Sequence, residues 1–245
     1  MPVEPENGDR PGFRLTPIGI VHSCFTEKFG IPRQPGLVAK ATATLEMLPP
    51  FDRPEMFVGL ERFSHVWIHF LFHDTIAEGW RSTVRPPWLG GRKRVGVFAS
   101  RSPHRPNFLG FSVVRLVAVR KHGKKIFLDL AGIDILDQTP VFDIKPYLPY
   151  SDRIDEASGG YALASPNMAQ VSFSGQARAF ALSYQHESQR DLLALITQVL
   201  QQDPRPPSQK EDGREFGMTL WDVNVRWQVR GDAAHVLSCV AVTAG

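Results

Sequence analysis

The sequence has 245 residues, 42% of them hydrophobic and 22% charged, and its 28 Lys and Arg residues against 25 Asp and Glu residues give a formal net charge of +3. This composition lies in the globular range and excludes disordered, collagenous and disulfide-stapled classes of protein. At roughly 150 residues per domain, the length predicts one large domain or two small ones.

The first dozen residues contain no apolar stretch, so we expect no signal peptide. No apolar run approaches the ~18 residues that a membrane-spanning helix needs. Only Cys24 and Cys239 are present, far apart in the chain, which argues against a disulfide framework and against a cysteine zinc site. We therefore expect a soluble cytoplasmic protein without membrane contact.

Residues 13–150 consist of short apolar segments separated by Gly and Pro, a pattern typical of a mainly β barrel or sandwich. In residues 64–74, apolar positions alternate with polar or larger ones, which predicts a strand with one apolar face. Further strands are predicted at residues 15–22, 37–45, 95–100, 111–120, 125–130 and 140–146. Crossover helices are scarce here, which disfavours a doubly wound parallel sheet.

Residues 151–245 predict a second, small α+β domain. Residues 177–202 carry apolar side chains at helical spacing, which predicts one long helix or two shorter ones. Asp203, Pro204 and Arg205 end this helical region because proline removes a helix donor. Residues 216–229 alternate again, and the last strand is expected near residues 235–242, for two or three strands in all.

The most distinctive local feature is the proline loop, residues 101–110, which contains two prolines, two arginines, a histidine and an asparagine. Such a loop is either a rigid platform for an anion or nucleotide or a solvated basic connection. Its Gly110 is expected to serve a positive φ or a close backbone approach.

Three histidines, His65, His69 and His73, stand four residues apart, which on a helix would place three metal ligands on one face. The strand pattern contradicts a helix, and on a strand the outer pair would be ~26 Å apart. We therefore expect no metal site. His73 and Asp74 are predicted to form a polar pair at the strand end or a simple turn contact.

Asp143 and Lys145 fall on the same side of a predicted strand. They are expected to form either a structural ion pair or an acid/base and orienting pair in a cleft. The sequence lacks a Walker loop, a G-x-G-x-x-G after a strand, a G-x-S-x-G elbow and an H-E-x-x-H motif, so doubly wound nucleotide binders and common hydrolases lose support.

The chain resembles the TsaA-like family of tRNA methyltransferases, also called TrmO. Five motifs carry the resemblance in the same order, at residues 30–37, 59–67, 83–87, 101–107 and 139–147. The second region also resembles bacterial members at residues 203–206 and 222–227.

The resemblance implies a single-sheet β-barrel that binds S-adenosylmethionine, with no glycine-rich loop. It implies methylation of the exocyclic N6 nitrogen of N6-threonylcarbamoyladenosine at position 37 of threonine tRNA, in the anticodon arm. It also implies a homodimer with the cofactor near the subunit interface.

Carried over residue by residue, the resemblance implies a set of cofactor-binding positions. They are Pro32, Arg33, Gln34, His73, Asp74, Arg101, Phe111, Ile133 and Asp134. The sequence departs from the family pattern at Phe108, where proline is common, at Phe111, where a smaller aliphatic residue is usual, and at Gln138, where glycine is usual.

The acceptor nitrogen implied by the resemblance is urea-like, so it is a poor nucleophile until its proton leaves. A base, or donors that stabilise the resulting anion, is therefore expected. The base candidates are Asp143, His73 and Asp137, and the anion stabilisers are Lys145 and Arg105. Arg101 or Arg105 is expected to bind the threonyl carboxylate of the substrate.

Two alternatives differ in class. The first is a non-catalytic tRNA-binding barrel whose Trp80 and Trp88 stack on bases. The second is a small-molecule hydrolase or a metal site around the histidines.

The net charge of +3 conceals an uneven distribution. Residues 81–125 contain twelve Lys and Arg residues and no Asp or Glu, so the rest of the chain sums to −9. This basic block contains the proline loop, and it predicts a cofactor pocket that opens onto a phosphate-binding surface, provided that the fold does not scatter the cations.

Overall fold

The computed structural model describes residues 14–162, 170–206 and 209–242. The expected amino-terminal tail, residue 13 and part of the turn-rich stretch between the two predicted domains lie outside the described residues. The strands are β1 (Gly19–Ser23), β2 (Thr42–Met47), β3 (His65–Leu71), β4 (Thr83–Val84), β5 (Val95–Gly96), β6 (Leu109–His122), β7 (Lys125–Ala131), β8 (Thr139–Pro146), β9 (Gln170–Phe173), β10 (Glu215–Leu220), β11 (Val223–Arg230) and β12 (Ala233–Ala241). The α-helices are α1 (Pro149–Asp152), α2 (Gly175–Ser188) and α3 (Leu192–Gln201).

Six strands form a closed antiparallel barrel in the order β1-β2-β7-β6-β3-β8. The alternation predicted for β3 is confirmed, because Val66, Ile68 and Phe70 are buried in the barrel. Closure pairs β1 with β8, with Gly19 opposite Val141, so the barrel sheet has no open edge. The prediction of a mainly β, single-sheet barrel is confirmed.

Several predicted strands have different limits. The strand predicted over residues 64–74 ends at Leu71, because the chain turns at Phe72 into a 3₁₀ helix that spans His73–Glu78. Of residues 95–100 only Val95–Gly96 is a strand, and a 3₁₀ helix follows directly.

The second region contains a four-stranded sheet in the order β10-β11-β12-β9 and the helices α2 and α3. Its α+β character agrees with the prediction, but the described sheet has one strand more than expected. Residues 216–229 form two strands rather than one run, because the chain reverses at Trp221, whose φ is 54°. The helical region is two helices, separated where Gln189 has a φ of 61°.

The two regions share one hydrophobic core. The segment of residues 24–40, which leaves the barrel after β1, lies between them. Phe25 forms a bridge to Leu220, and the ring of Phe29 stacks 6.3 Å from Phe216 and 6.4 Å from Trp227. The segment of residues 24–40 therefore packs against the second region before it returns to the barrel at β2.

Gly110 serves a close approach rather than a positive φ. A Cβ at this position would lie 2.3 Å from Cζ of Phe70, and Gly110 is not among the residues with positive φ. Two of the positions that depart from the family pattern have left-handed backbones, with φ of 52° at Phe108 and 61° at Gln138. The glycine usual for the family at position 138 fits this conformation without steric cost.

Candidate functional site

A cavity of about 580 Å³ opens at one end of the barrel. Five segments line it, from residues 31–35, 70–75, 100–105, 109–113 and 134–139. These segments are far apart in the sequence, and the closed barrel brings their ends together. About half of the lining residues are proline, aromatic or aliphatic, and most of the others are polar or charged, a combination that suits an organic ligand with charged groups.

Asp134 is the most unusual titratable group in this cavity. Oγ of Ser112 donates a hydrogen bond of 2.6 Å to its Oδ1 atom. Burial raises the pKa of the Asp134 carboxyl to about 6, against smaller opposing effects of this hydrogen bond and of the positive charge on Arg101. The cavity therefore contains an acid that exchanges its proton close to neutral pH.

The proline loop is held by contacts of its own arginines and by a contact to residues 31–35. Nη1 of Arg105 donates a hydrogen bond of 2.8 Å to the carbonyl of Ser100, and its guanidinium lies 5.9 Å from the Phe98 ring centroid. Arg101 donates to Oε1 of Gln34, which ties the loop to residues 31–35 across the cavity. These contacts favour the rigid platform over the solvated connection.

His73 and Asp74 stand at the start of the 3₁₀ helix after β3. Nδ1 of His73 lies 3.4 Å from Oγ1 of Thr139. Nζ of Lys28 lies 3.1 Å from Oδ2 of Asp74 and 2.9 Å from Oε1 of Glu78. Hydrogen bonds from Lys28 and His104 lower the pKa of Glu78 to about 2. The same two contacts connect the 3₁₀ helix of His73–Glu78 to the segment that carries Lys28 and to the proline loop.

Eight of the nine predicted cofactor-binding residues line the cavity. They are Pro32, Arg33, Gln34, His73, Asp74, Arg101, Phe111 and Asp134. The ninth, Ile133, is fully buried in the core and does not reach the cavity. The next residue, Asp134, has its side chain on the opposite side of the backbone and lines the cavity.

The five predicted catalytic residues are divided. His73 and Arg105 line the cavity, whereas Asp137, Asp143 and Lys145 do not. Oδ1 of Asp137 accepts a 2.8 Å hydrogen bond from the backbone N–H of Ser23, so this carboxylate braces a turn.

Asp143 and Lys145 lie on the outer face of the barrel. Asp143 is opposite His69 of β3, and Nζ of Lys145 lies 5.7 Å from the ring centroid of Trp67. In the described part of the chain no ion pair joins Asp143 to Lys145, so the predicted structural pair is not formed. Trp67 itself lines the cavity.

The sequence reasoning missed Ser112, Leu136 and Thr139, which also line the cavity. Ser112 follows Gly110 by two residues on β6, so a period of two from that glycine identifies it. No local signal identifies Leu136, because it reaches the cavity through the connection between β7 and β8. Thr139 begins β8 and the motif of residues 139–147, but the sequence reasoning gave it no role.

The three histidines His65, His69 and His73 do not come together in the structure. His65 and His69 lie on β3, whereas His73 lies beyond the end of this strand. Among the described residues no group of three His, Cys, Asp or Glu side chains has a geometry that would hold a metal ion.

The twelve cations of the basic block fall into two groups. Seven lie on residues 81–105, around the cavity and the adjoining β4–β5 ribbon, and five lie on β6, β7 and their turn. β6 is 14 residues long, so Lys121 and Lys125 stand roughly 40 Å along the strand from its start at the cavity. Arg120 and Lys125 also pair with Asp129 and Glu46. Only the first group adjoins the cavity.

Comparison with known proteins assigns the chain to a family. Residues 20–153 match the tRNA-methyltransferase O N-terminal domain, and residues 166–242 match the TrmO C-terminal domain. The chain belongs to the tRNA-methyltransferase O family. The family resemblance seen in the sequence motifs is confirmed.

Individual relatives cover nearly the whole chain. A Pseudomonas aeruginosa protein named "Putative S-adenosylmethionine-dependent methyltransferase RcsF" is 50% identical over 225 residues, which are 91% of this chain and 96% of that protein. The Escherichia coli tRNA (adenine(37)-N6)-methyltransferase is 45% identical over 229 residues, 89% of this chain and 93% of that protein. The crystal structure of TrmO from P. aeruginosa superposes with a TM-score of 0.81 at 44% identity, covering 94% of this chain and 99% of that one.

Within the described residues no helix is long and apolar enough to cross a bilayer.

The raised pKa of Asp134 predicts a pH-dependent cost to stability. The unfolded carboxyl loses its proton near pH 4, whereas the folded one does so near pH 6. Wild-type stability should therefore fall between these values, by up to about 3 kcal/mol relative to Asp134→Asn, and stay lower at higher pH. Urea unfolding of both proteins from pH 4 to pH 7.5 measures this difference. Asp155→Asn, an exposed carboxylate of the same size, is the control and should show no such trend; a constant difference for Asp134→Asn would contradict the prediction.

Proposed function

We propose that this protein transfers a methyl group from S-adenosylmethionine to the N6 nitrogen of N6-threonylcarbamoyladenosine at position 37 of threonine tRNA, and that it does so as a cytoplasmic homodimer. As a member of the tRNA-methyltransferase O family, the protein is an enzyme that methylates tRNA and uses this cofactor. The observation that carries the proposal is the single cavity that gathers eight of the family's cofactor positions around a buried carboxylate.

The cavity fits the cofactor in size and chemistry. A volume of about 580 Å³ lies in the range of small-molecule sites, and its aromatic and proline walls suit a nucleoside. The buried Asp134 carboxylate offers a partner for a cationic ligand, and its ionised form is stabilised by that cation. When bound, S-adenosylmethionine supplies a methyl group on a sulfonium.

The residues of this chain then have to align the acceptor, exclude water and remove a proton from the N6 nitrogen. We assign proton removal to His73, because it is the one base candidate from the sequence that lines the cavity. Thr139, 3.4 Å from Nδ1 of His73, orients the imidazole so that Nε2 faces the acceptor. The N6 proton would then pass to Nε2.

Arginine side chains are proposed to bind the anionic parts of the substrate. The guanidinium of Arg105 is fixed by the Ser100 carbonyl and by the Phe98 ring, so it is preorganised to stabilise charge on the carbamoyl oxygen. Arg101 uses Nη1 for Gln34, which leaves its other N–H groups for the threonyl carboxylate.

The outer face of β3, β6 and β8 supports the homodimer. Phe111 is 55% exposed, and its ring packs against His69 with centroids 4.8 Å apart. Val113, which lines the cavity, and Val117, which is 56% exposed, follow on the same face of β6, with Arg115 between them. We call Phe111, Val113 and Val117 the apolar strip, and exposed apolar side chains of this kind are typical of an interface that is covered by a second copy. Asp143 and Lys145 lie on this face, so any catalytic part that they play would be at the subunit interface.

Loss of the apolar strip should dissociate the dimer. Phe111→Asp places a charge where the partner's apolar surface would pack, so sedimentation velocity should give a monomer, whereas the wild type is expected to sediment as a dimer. Val58→Asp alters a side chain that is 85% exposed and belongs to none of these strands, so it should leave the dimer intact. A dimer that survives Phe111→Asp would refute this interface.

Methyl transfer from labelled S-adenosylmethionine tests the reaction itself. With tRNA prepared with and without the threonylcarbamoyl group, label should enter only the modified tRNA. His73→Ala should lower kcat by about 10²-fold or more, whereas His186→Ala, on an exposed side chain of α2 outside the cavity, should retain it.

Label in both tRNAs would contradict the threonylcarbamoyl substrate. Binding of tRNA without any transfer would instead support the non-catalytic binding barrel. Full activity of His73→Ala would refute its role as the base.

A further inference from the structure

A second cavity, of about 740 Å³, adjoins the first, and Pro103 lines both. It is formed by the β4–β5 ribbon and the proline loop, and Arg81, Arg85 and Arg94 line it. The backbone N–H of Arg81 donates to the carbonyl of His104 at 3.1 Å, so this wall is fixed to the proline loop.

The charge of this cavity is not balanced by the protein. In the β4–β5 ribbon Val84 pairs with Val95, so Arg85 and Arg94 stand directly beyond the same end of the ribbon, and both line the cavity. Like charges on neighbouring strands repel each other. None of the described lining residues is acidic, and Glu78, which lies 3.5 Å from Arg81, also accepts hydrogen bonds from Lys28 and His104.

Trp80 adds an aromatic surface at the same cavity. Its side chain is 57% exposed, and within the described residues no other ring packs against it. Guanidinium groups bind phosphates, and an exposed indole stacks on a nucleobase. Free phosphate would use the arginines alone, whereas a nucleotide would use both features.

We propose that this second cavity binds a nucleotide of the RNA strand next to the target base, through its phosphate at Arg85 and Arg94 and its base at Trp80. The inference rests on the proposed function. It adds a location for the RNA next to the target base, in a cavity that shares Pro103 with the cofactor cavity. It also identifies which part of the basic block contacts RNA.

Charge removal tests this site. Arg85→Gln/Arg94→Gln should raise the KM for tRNA about tenfold or more and leave the Kd for S-adenosylmethionine unchanged. The slope of log binding constant against log salt should become shallower by about 1.4, as expected for the loss of two single-strand phosphate contacts. Trp80→Ala should weaken binding by about tenfold with an unchanged salt slope. Arg53→Gln/Arg62→Gln makes the same charge change on exposed side chains elsewhere and should match the wild type.

Anisotropy of a labelled single-stranded RNA measures binding without catalysis. If the wild type binds this RNA but transfers no methyl group, the proposed function fails, and the site is still judged by the variants. If Arg85→Gln/Arg94→Gln binds RNA as tightly as Arg53→Gln/Arg62→Gln, the site is refuted.

Discussion

Closure of the barrel between β1 and β8 is the constraint on which the site depends. The hydrogen bonds from Gly19–Val21 to Thr139–Val141 bring the first and last strands of the barrel together. As a result, the connections that follow β1, β3 and β7 end at one mouth, where they surround the cavity. An open sheet would leave residues 31–35 and 134–139 on different edges. The ligand site is therefore a consequence of closure, and it needs no glycine-rich loop.

The charged groups around this cavity differ in sign and in burial. Asp134 lies inside, where low polarity raises its pKa and makes a cationic ligand favourable. Arg81, Arg85 and Arg94 line the second cavity, where we propose that they bind phosphate. Pro103 lines both cavities. This separation fits the proposed function, because a cationic cofactor and a polyanionic substrate would then bind side by side at oppositely charged groups.

The second region has a structural connection to this chemistry. Its core is continuous with that of the barrel through Phe25 and Phe29. The connection between β1 and β2 thus belongs to both regions. This explains why the chain from residue 24 to residue 40 is long and irregular, although β1 and β2 are neighbours in the barrel.

The residue pattern by itself determined a mainly β class, because a period of two in β3 and the scarcity of crossover helices disfavour a doubly wound parallel sheet. A barrel rather than a sandwich followed from the family resemblance of the motifs. The resemblance also led to Arg101, Asp134 and seven other residues of the cavity, since motifs in loops keep their order and spacing. Only the tertiary structure decided which candidates meet. Asp143 and Lys145 share a face with each other, but strand pairing turns that face outward, and no pattern within one strand reveals which neighbour it receives. The basic block was likewise one segment in the sequence and two groups in space, because a strand of 14 residues carries its far end away from the cavity.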